Sequence, residues 1–241
     1  MTKPTMLAIG IGSAALICLI ISALLPAPWA WLAIWTAVSC GLVSAAYALN
    51  LPGMFGKRDG GLPWHRRVVL GPYLLAFGIA CELMRRSRDT APVDEVLPGL
   101  YVGGRITAED LPADVHLVVD LVAEFAEPTV IRQLDGYRAL PILDGGYPAD
   151  EAAFAELLEE AAACARPVLV HCDSGRGRAP TFAALILIRR GLAGDPESAF
   201  EIIRNGRPTT APTASDLAFA RRVMPLVRGG ETTGDLARMR A

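Results

Sequence analysis

The 241-residue chain is long enough for two folded units, and its net charge of −2 averages two unlike parts. Residues 1–56 are mostly apolar and carry one formal side-chain charge, Lys3, whereas the remainder is charged like an ordinary soluble domain. The five cysteines (18, 40, 81, 164 and 172) show no paired or metal-ligand spacing, which excludes a disulfide framework and fits a reducing compartment for the soluble part.

Met6 to Leu25 is twenty residues without a charge, long enough to cross a hydrocarbon core of about 30 Å. Pro26-Ala27-Pro28 breaks it, and a second such stretch runs from Trp29 to Leu51, with Trp29, Trp31 and Trp35 near its start, where interfacial aromatics are favoured. The two predict a transmembrane hairpin over residues 1–56, with spans at about 6–25 and 29–51. A signal peptide fits the first segment poorly, because the second follows at once and a single lysine makes a thin basic region. Lys3 precedes the spans and Lys57, Arg58, Arg66 and Arg67 follow them, so the positive-inside rule puts both ends in the cytoplasm. The expected location is the inner or plasma membrane.

Residues 57–94 predict a basic interfacial segment. Val68 to Met84 is apolar, but basic residues flank it on both sides, so one helix over 68–84 is expected to lie in the interface and attract anionic lipid. A third crossing is the alternative, and it would carry Cys172 into an oxidising space. Asp89 to Asp94 reads as a linker, with the soluble domain at 95–228 and a loose tail at 229–241. In that domain Val96 to Gly104 predicts an opening strand, Val115 to Val122 a second and Tyr137 to Leu143 a third. Phe125 to Leu134 is ambiguous, with a short helix after Pro128 as one option. Asp150 caps a helix over Glu151 to Ala165, Asp195-Pro196 starts one that Gly206 ends, and Ser215 caps the last. Strands alternating with helices predict an α/β fold, a mostly parallel central sheet flanked by helices.

The chemistry concentrates in Pro167 to Pro180. Val168 to Val170 reads as a buried strand that runs into Cys172, and Thr181 to Arg190 as an apolar helix. Between them lies a loop of Asp173, Ser174, Gly175, Arg176 and Gly177, followed by Arg178. Strand, glycine-bearing loop and helix N-terminus make an anion site, because loop N–H groups can turn inward and the helix dipole adds to them. Arg178 can offer two phosphate oxygens a planar fork of donors, and the positive potential favours the thiolate of Cys172. Such a site binds a phosphate dianion and attacks its phosphorus.

His171-Cys172-x-x-Gly175-x-x-Arg178 resembles the Cys-x5-Arg signature of the protein-tyrosine phosphatase superfamily. The surrounding pattern, including Leu100-Tyr101-x-Gly103, resembles its dual-specificity branch. The resemblance implies phosphomonoester hydrolysis through a phosphocysteine, with no metal or cofactor, and a general-acid Asp on a mobile loop upstream of the Cys. Asp144 fits that position. It follows the strand ending at Leu143, Gly145 and Gly146 free its loop, and it lies 172 − 144 = 28 residues before Cys172. Asp120, also at a strand end, is the runner-up, and Asp150 reads as a cap. His171 is expected to shape the loop and hold the thiolate. Asn205-Gly206-Arg207-Pro208 resembles a structural segment of the family and is given no chemistry. Most members carry Ser or Thr after the Arg; here Ala179 stands there, so Gly-Arg-Ala-Pro resembles the phosphatase-of-regenerating-liver branch and implies slow release of the intermediate.

The expected function is therefore a membrane-anchored phosphatase of phosphoproteins. A phospholipid headgroup phosphatase and a low-activity phosphate-binding interaction module are the alternatives. Arg176 favours polyanionic lipid headgroups and Asp173 opposes them. Arsenate reductase and sulfurtransferase readings are weaker: only Cys164 lies near Cys172 in sequence, and the second chemistry uses no acid. The expected partners are a phosphorylated protein or lipid headgroup and the membrane, with no nucleic acid.

Overall fold

A computed structural model describes residues 2–87 and 90–229 and divides the chain into two compact units. The first comprises Met1–Asp89 together with Ala123–Ala126 and Pro141–Ala149; the second comprises Thr90–Val122, Glu127–Leu140 and Asp150–Ala241.

The first unit is built on two helices, α1 (Lys3–Ser22) and α2 (Trp29–Ala48), each of 20 residues and each long and apolar enough to cross a membrane. They pack on each other through small residues. Ser44 Oγ donates to the Ala8 carbonyl at 2.7 Å, and a Cβ on Gly12 would lie 2.8 Å from that hydroxyl oxygen. The outward faces are large and apolar: Ile9, Leu16, Ile20, Trp31 and Val38 are all more than half exposed. A soluble core helix would bury such residues. At the end of α2 a core forms from Val43, Ala46 and Tyr47 with Phe55, Leu62, Leu70, Tyr73, Ala123 and Leu143.

The single helix expected over 68–84 is two helices, α3 (Trp64–Val69) and α4 (Gly71–Arg86). Pro72 in the first turn of α4 lacks the N–H that would continue α3, and its ring excludes the preceding helical turn. The α4 helix buries Tyr73 and Cys81. It exposes Leu75, Ile79 and Leu83, spaced four apart, as one apolar stripe.

The second unit carries a five-stranded sheet in the order β1-β2-β5-β3-β4: β1 (Val93–Leu97), β2 (Leu100–Gly103), β3 (Leu117–Val122), β4 (Tyr137–Ile142) and β5 (Val168–His171). Strand β5 runs parallel to both β2 and β3, and β1 is antiparallel to β2. The expected single opening strand is thus a hairpin, turned at Gly99 with φ 77°. Asp94, expected in the linker, lies in β1. Strands β3 and β5 are buried at every position, as suits strands covered on both faces. Helices α5 (Thr129–Arg132), α6 (Glu151–Ala163), α7 (Arg178–Arg189), α8 (Pro196–Gly206) and α9 (Ala214–Gly229) flank the sheet. Helix α7 is the central one: every residue from Arg178 to Ile188 is buried, and α6, α8 and α9 all pack on it.

Most helix boundaries match the expected signals. Asp150 accepts from the Ala152 and Ala153 N–H groups, and Asp195 closes a capping box with Ser198. The last helix differs. Thr213, not Ser215, starts α9: its Oγ1 accepts from Asp216 N–H, and the Asp216 carboxylate accepts from Thr213 N–H. The tail at 229–241 lies outside the described residues beyond Gly229.

Candidate active site

The phosphate loop leaves β5 at His171 and enters α7 at Arg178, at the C-terminal edge of the central strand. Ligands of open α/β sheets bind at this edge. His171 lies in register between Gly103 of β2 and Asp120 of β3. Cys172 is 2% exposed, and its sulfur accepts the Gly175 N–H at 3.3 Å. The loop turns at Gly175, with φ 66°, where a Cβ would lie 2.6 Å from Arg207 Nη2 and 2.7 Å from the Gly103 and Gly104 backbone. Only glycine satisfies both constraints.

The loop is pinned from three sides. Cys172 N–H donates to the Gly103 carbonyl at 3.2 Å, Arg105 N–H to the Asp173 carbonyl at 3.0 Å, and Ala211 N–H to the Arg176 carbonyl at 3.0 Å. Arg207, buried at 3% exposure, donates through Nε to the Gly175 carbonyl at 3.0 Å and pairs with Asp94. Arg178 opens α7, buried, with Nη1 donating to the Leu121 carbonyl of β3 at 3.3 Å. That contact and the helix start fix the base of its guanidinium. Thr181 Oγ1 closes the first turn on the Gly177 carbonyl at 2.9 Å.

Next to Cys172 in the chain, His171 joins Asp120 and Glu127 in bringing one ring nitrogen and two carboxylate oxygens within 4.8 Å of one another, all buried. This donor set could hold a metal ion by type. Asp120, however, already accepts from Val122 N–H through Oδ1 at 2.8 Å and from the Tyr137 hydroxyl through Oδ2. Both Asp120 oxygens are thus already engaged by the protein itself. Burial, then the Asp120 carboxylate, pushes the Tyr137 hydroxyl far above its usual range, so Tyr137 stays a donor. Asp120 is thus fully buried, with the Tyr137 hydroxyl and the Val122 N–H on its carboxylate.

Asp144 belongs to the first unit. Its carboxylate meets Lys3 Nζ at 2.8 Å, and its backbone N–H donates to Glu124 Oε1 at 2.7 Å. Glu124 is 1% exposed and also accepts the Tyr47 hydroxyl at 2.8 Å. Gly145 has φ 72°, and a Cβ there would strike the Lys3 side chain at 2.8 Å. Asn50 Nδ2 donates to the Tyr147 carbonyl at 3.3 Å.

The second unit thus brings together His171, Cys172, residues 173–177 and Arg178; Asp144 stands in the first. Sequence reasoning passed over Arg207 as a support of the loop, although Asn-Gly-Arg-Pro marked its segment. It also passed over Glu124 and Tyr47, whose pairing joins residues 77 positions apart.

Comparison with known proteins identifies the family. Residues 109–225 match the model of the Swiss Army Knife protein DSP-PTPase phosphatase domain. A PRL-1 phosphatase of Drosophila melanogaster is 30% identical over 169 residues, covering 61% of this chain and 92% of that protein. The chain belongs to the dual-specificity branch of the protein-tyrosine phosphatase superfamily. It is a cysteine-type phosphatase of that family. Among solved structures, human DUSP28 aligns at 21% identity and a TM-score of 0.45, covering 58% of this chain and 99% of that one. A structure of PTPMT1 in complex with PI(5)P aligns at 17% identity and a TM-score of 0.44, covering 58% and 98%.

Proposed function

We propose that this dual-specificity-type phosphatase is anchored in a membrane by α1 and α2 and hydrolyses phosphomonoesters on phosphoproteins at its cytoplasmic face. The observation that carries the catalytic part is the sulfur of Cys172 accepting the Gly175 N–H in a loop that ends at Arg178. The Cys172 thiolate attacks phosphorus and the bond to the leaving oxygen breaks. Asp144 supplies the proton that oxygen needs. Arg178 and the loop N–H groups bind the non-bridging oxygens as charge redistributes. Water then attacks the phosphocysteine and gives a proton to Asp144, which restores the thiolate and frees inorganic phosphate. Two 20-residue apolar helices with large exposed apolar faces support the anchor. The outward stripe Leu75, Ile79, Leu83 supports an interfacial α4. This closeness to lipid favours a second reading, in which the phosphomonoester is carried by a phospholipid headgroup.

Phosphate release from a small aryl phosphate tests the catalytic part. Cys172→Ser should lower kcat by about 10⁴-fold or more. Asp144→Ala should lower it by about 10²-fold on a poor leaving group and far less on an activated one. Equal loss on both would remove Asp144 as the acid, and the absence of Cys172-dependent release would leave only a phosphate-binding module. Ala179→Ser should relieve a pre-steady-state burst by restoring a hydroxyl that helps the thiolate depart. A panel of phosphopeptides against phospholipids in micelles decides between the two substrate classes.

A further inference from the structure

The segment that follows α2 folds into a cavity unconnected with the chemistry of Cys172. After the turn Pro52–Met54, the chain passes Gly56 and reverses at Arg58–Gly61. Two backbone hydrogen bonds of 2.9 and 2.8 Å close that reversal. Asp59 and Gly60 both have positive φ (45° and 70°), as a two-residue hairpin of this hand requires. A cavity of about 460 Å³ results, lined by Gly53, Gly56, Arg58, Leu62, His65 and Arg66 among others.

Its lining is cationic and unneutralised. The Arg58 and His65 side chains make no hydrogen bond or ion pair among the described residues. The Arg66 guanidinium finds only the Met54 sulfur at 3.8 Å, a weak acceptor. Other cations of this unit are matched: Arg67 donates to the Leu62 carbonyl, and Arg85 and Arg86 share the Glu82 carboxylate. Asp59, at the tip of the reversal, pairs with neither arginine. Two guanidiniums and an imidazole around one hollow are arranged for an anion with several acceptor oxygens. Gly53 leaves the hollow open, since a Cβ there would meet nothing within 4 Å. Beside it, Trp64 and Val68 are 76% and 55% exposed, an aromatic and an aliphatic side chain with no protein to cover them. Such residues suit the level of lipid headgroups.

We propose that this cavity binds the phosphate of an anionic phospholipid headgroup, with Arg58 and Arg66 as its donors. The proposal rests on the membrane reading of α1 and α2 and is independent of Asp144. A phosphodiester headgroup has no terminal phosphate for Cys172 to remove, so the site retains lipid and does not consume it.

The full-length protein in a neutral detergent, titrated with dihexanoyl phosphatidylglycerol and followed by thermal shift and phosphorus NMR, tests this. The probe is a phosphodiester; dihexanoyl phosphatidylcholine and inorganic phosphate form the other two arms. The anionic lipid should bind, and Arg58→Gln with Arg66→Gln should weaken it by about tenfold or more. Gly53→Leu, which projects into open space without altering charge, should do the same. Both variants should keep wild-type activity on a small aryl phosphate, which shows that they fold. Equal lipid binding by wild type and both variants, or equal binding of the zwitterionic lipid, overturns the proposal. Binding of inorganic phosphate alone that depends on Arg58 and Arg66 overturns the headgroup assignment and leaves a free-anion site. Alkaline carbonate extraction of membranes is read separately: release of the protein there would refute the hairpin, whatever the cavity binds.

Discussion

The phosphate loop and the Asp144 loop are held by different kinds of support. The phosphate loop is shaped by neighbours in its own unit: Gly103 of β2, Leu121 of β3, and Arg207 just beyond α8. The Asp144 loop is gripped by the ends of the apolar hairpin, by Lys3 at the start of α1 and by Tyr47, through Glu124, near the end of α2. One half of the proposed chemistry therefore depends on the catalytic fold alone. The other half depends on residues of the anchor. A hairpin that served only as the proposed tether would have no need of a buried Tyr–Glu pair on the Asp144 loop.

The comparison breaks first, if it breaks, at Arg207. This guanidinium is 3% exposed and is shared among the Gly175 carbonyl, the Ala91 carbonyl and Asp94. Arg207→Ala removes those donors and leaves a loop carbonyl unsatisfied. It should cost about 3 kcal/mol of stability. It should also lower kcat equally on activated and poor leaving groups, because it disturbs the nucleophile and not the acid. Chemical denaturation and steady-state kinetics check the two halves. A loss confined to poor leaving groups would show that the loops are not separately supported.

Glu124 sharpens the comparison from the other side. Its Oε1 accepts both the Tyr47 hydroxyl and the Asp144 N–H. Glu124→Ala should lower kcat about tenfold on a poor leaving group and leave an activated aryl phosphate nearly unaffected, the selective loss expected of a residue that positions an acid. Tyr47→Phe should follow the same pattern at about threefold, the scale of one neutral hydrogen bond. If both variants lose activity on every substrate alike, Glu124 supports the fold and not the acid.

How much of this was legible in the chain depended on sequence distance. Cys172, the loop glycines and Arg178 are contiguous with the strand and helix that place them, so their order alone told the strand–loop–helix geometry. The caps Asp150 and Asp195 were legible for the same reason. The hairpin β1-β2 was not, because Val96 to Gly104 reads as one extended run and only the positive φ of Gly99 reverses it. The break between α3 and α4 was visible as Gly71-Pro72, but uniform hydropathy masked it. Least legible was the grip on Asp144. Tyr47 sits in an apolar span and Lys3 reads as an orientation signal, and nothing local marks either as a partner of residues 77 and 144 − 3 = 141 positions on.

Lys3 should give the smallest effect and the most direct one. Its ammonium is 49% exposed and the Asp144 carboxylate 23%, so water and salt screen the pair and its worth is about 0–1 kcal/mol. The Lys3 ammonium lies on the carboxylate that is proposed to donate a proton in the first step. Lys3→Ala should therefore raise kcat on poor leaving groups, by no more than about fivefold given that energy. Added salt should do the same to wild type and nothing to the variant. Steady-state rates across an ionic-strength series measure both effects at once. A fall in kcat with Lys3→Ala would recast the contact as a clamp that orients the acid, and the anchor would then aid the proton transfer that it otherwise restrains.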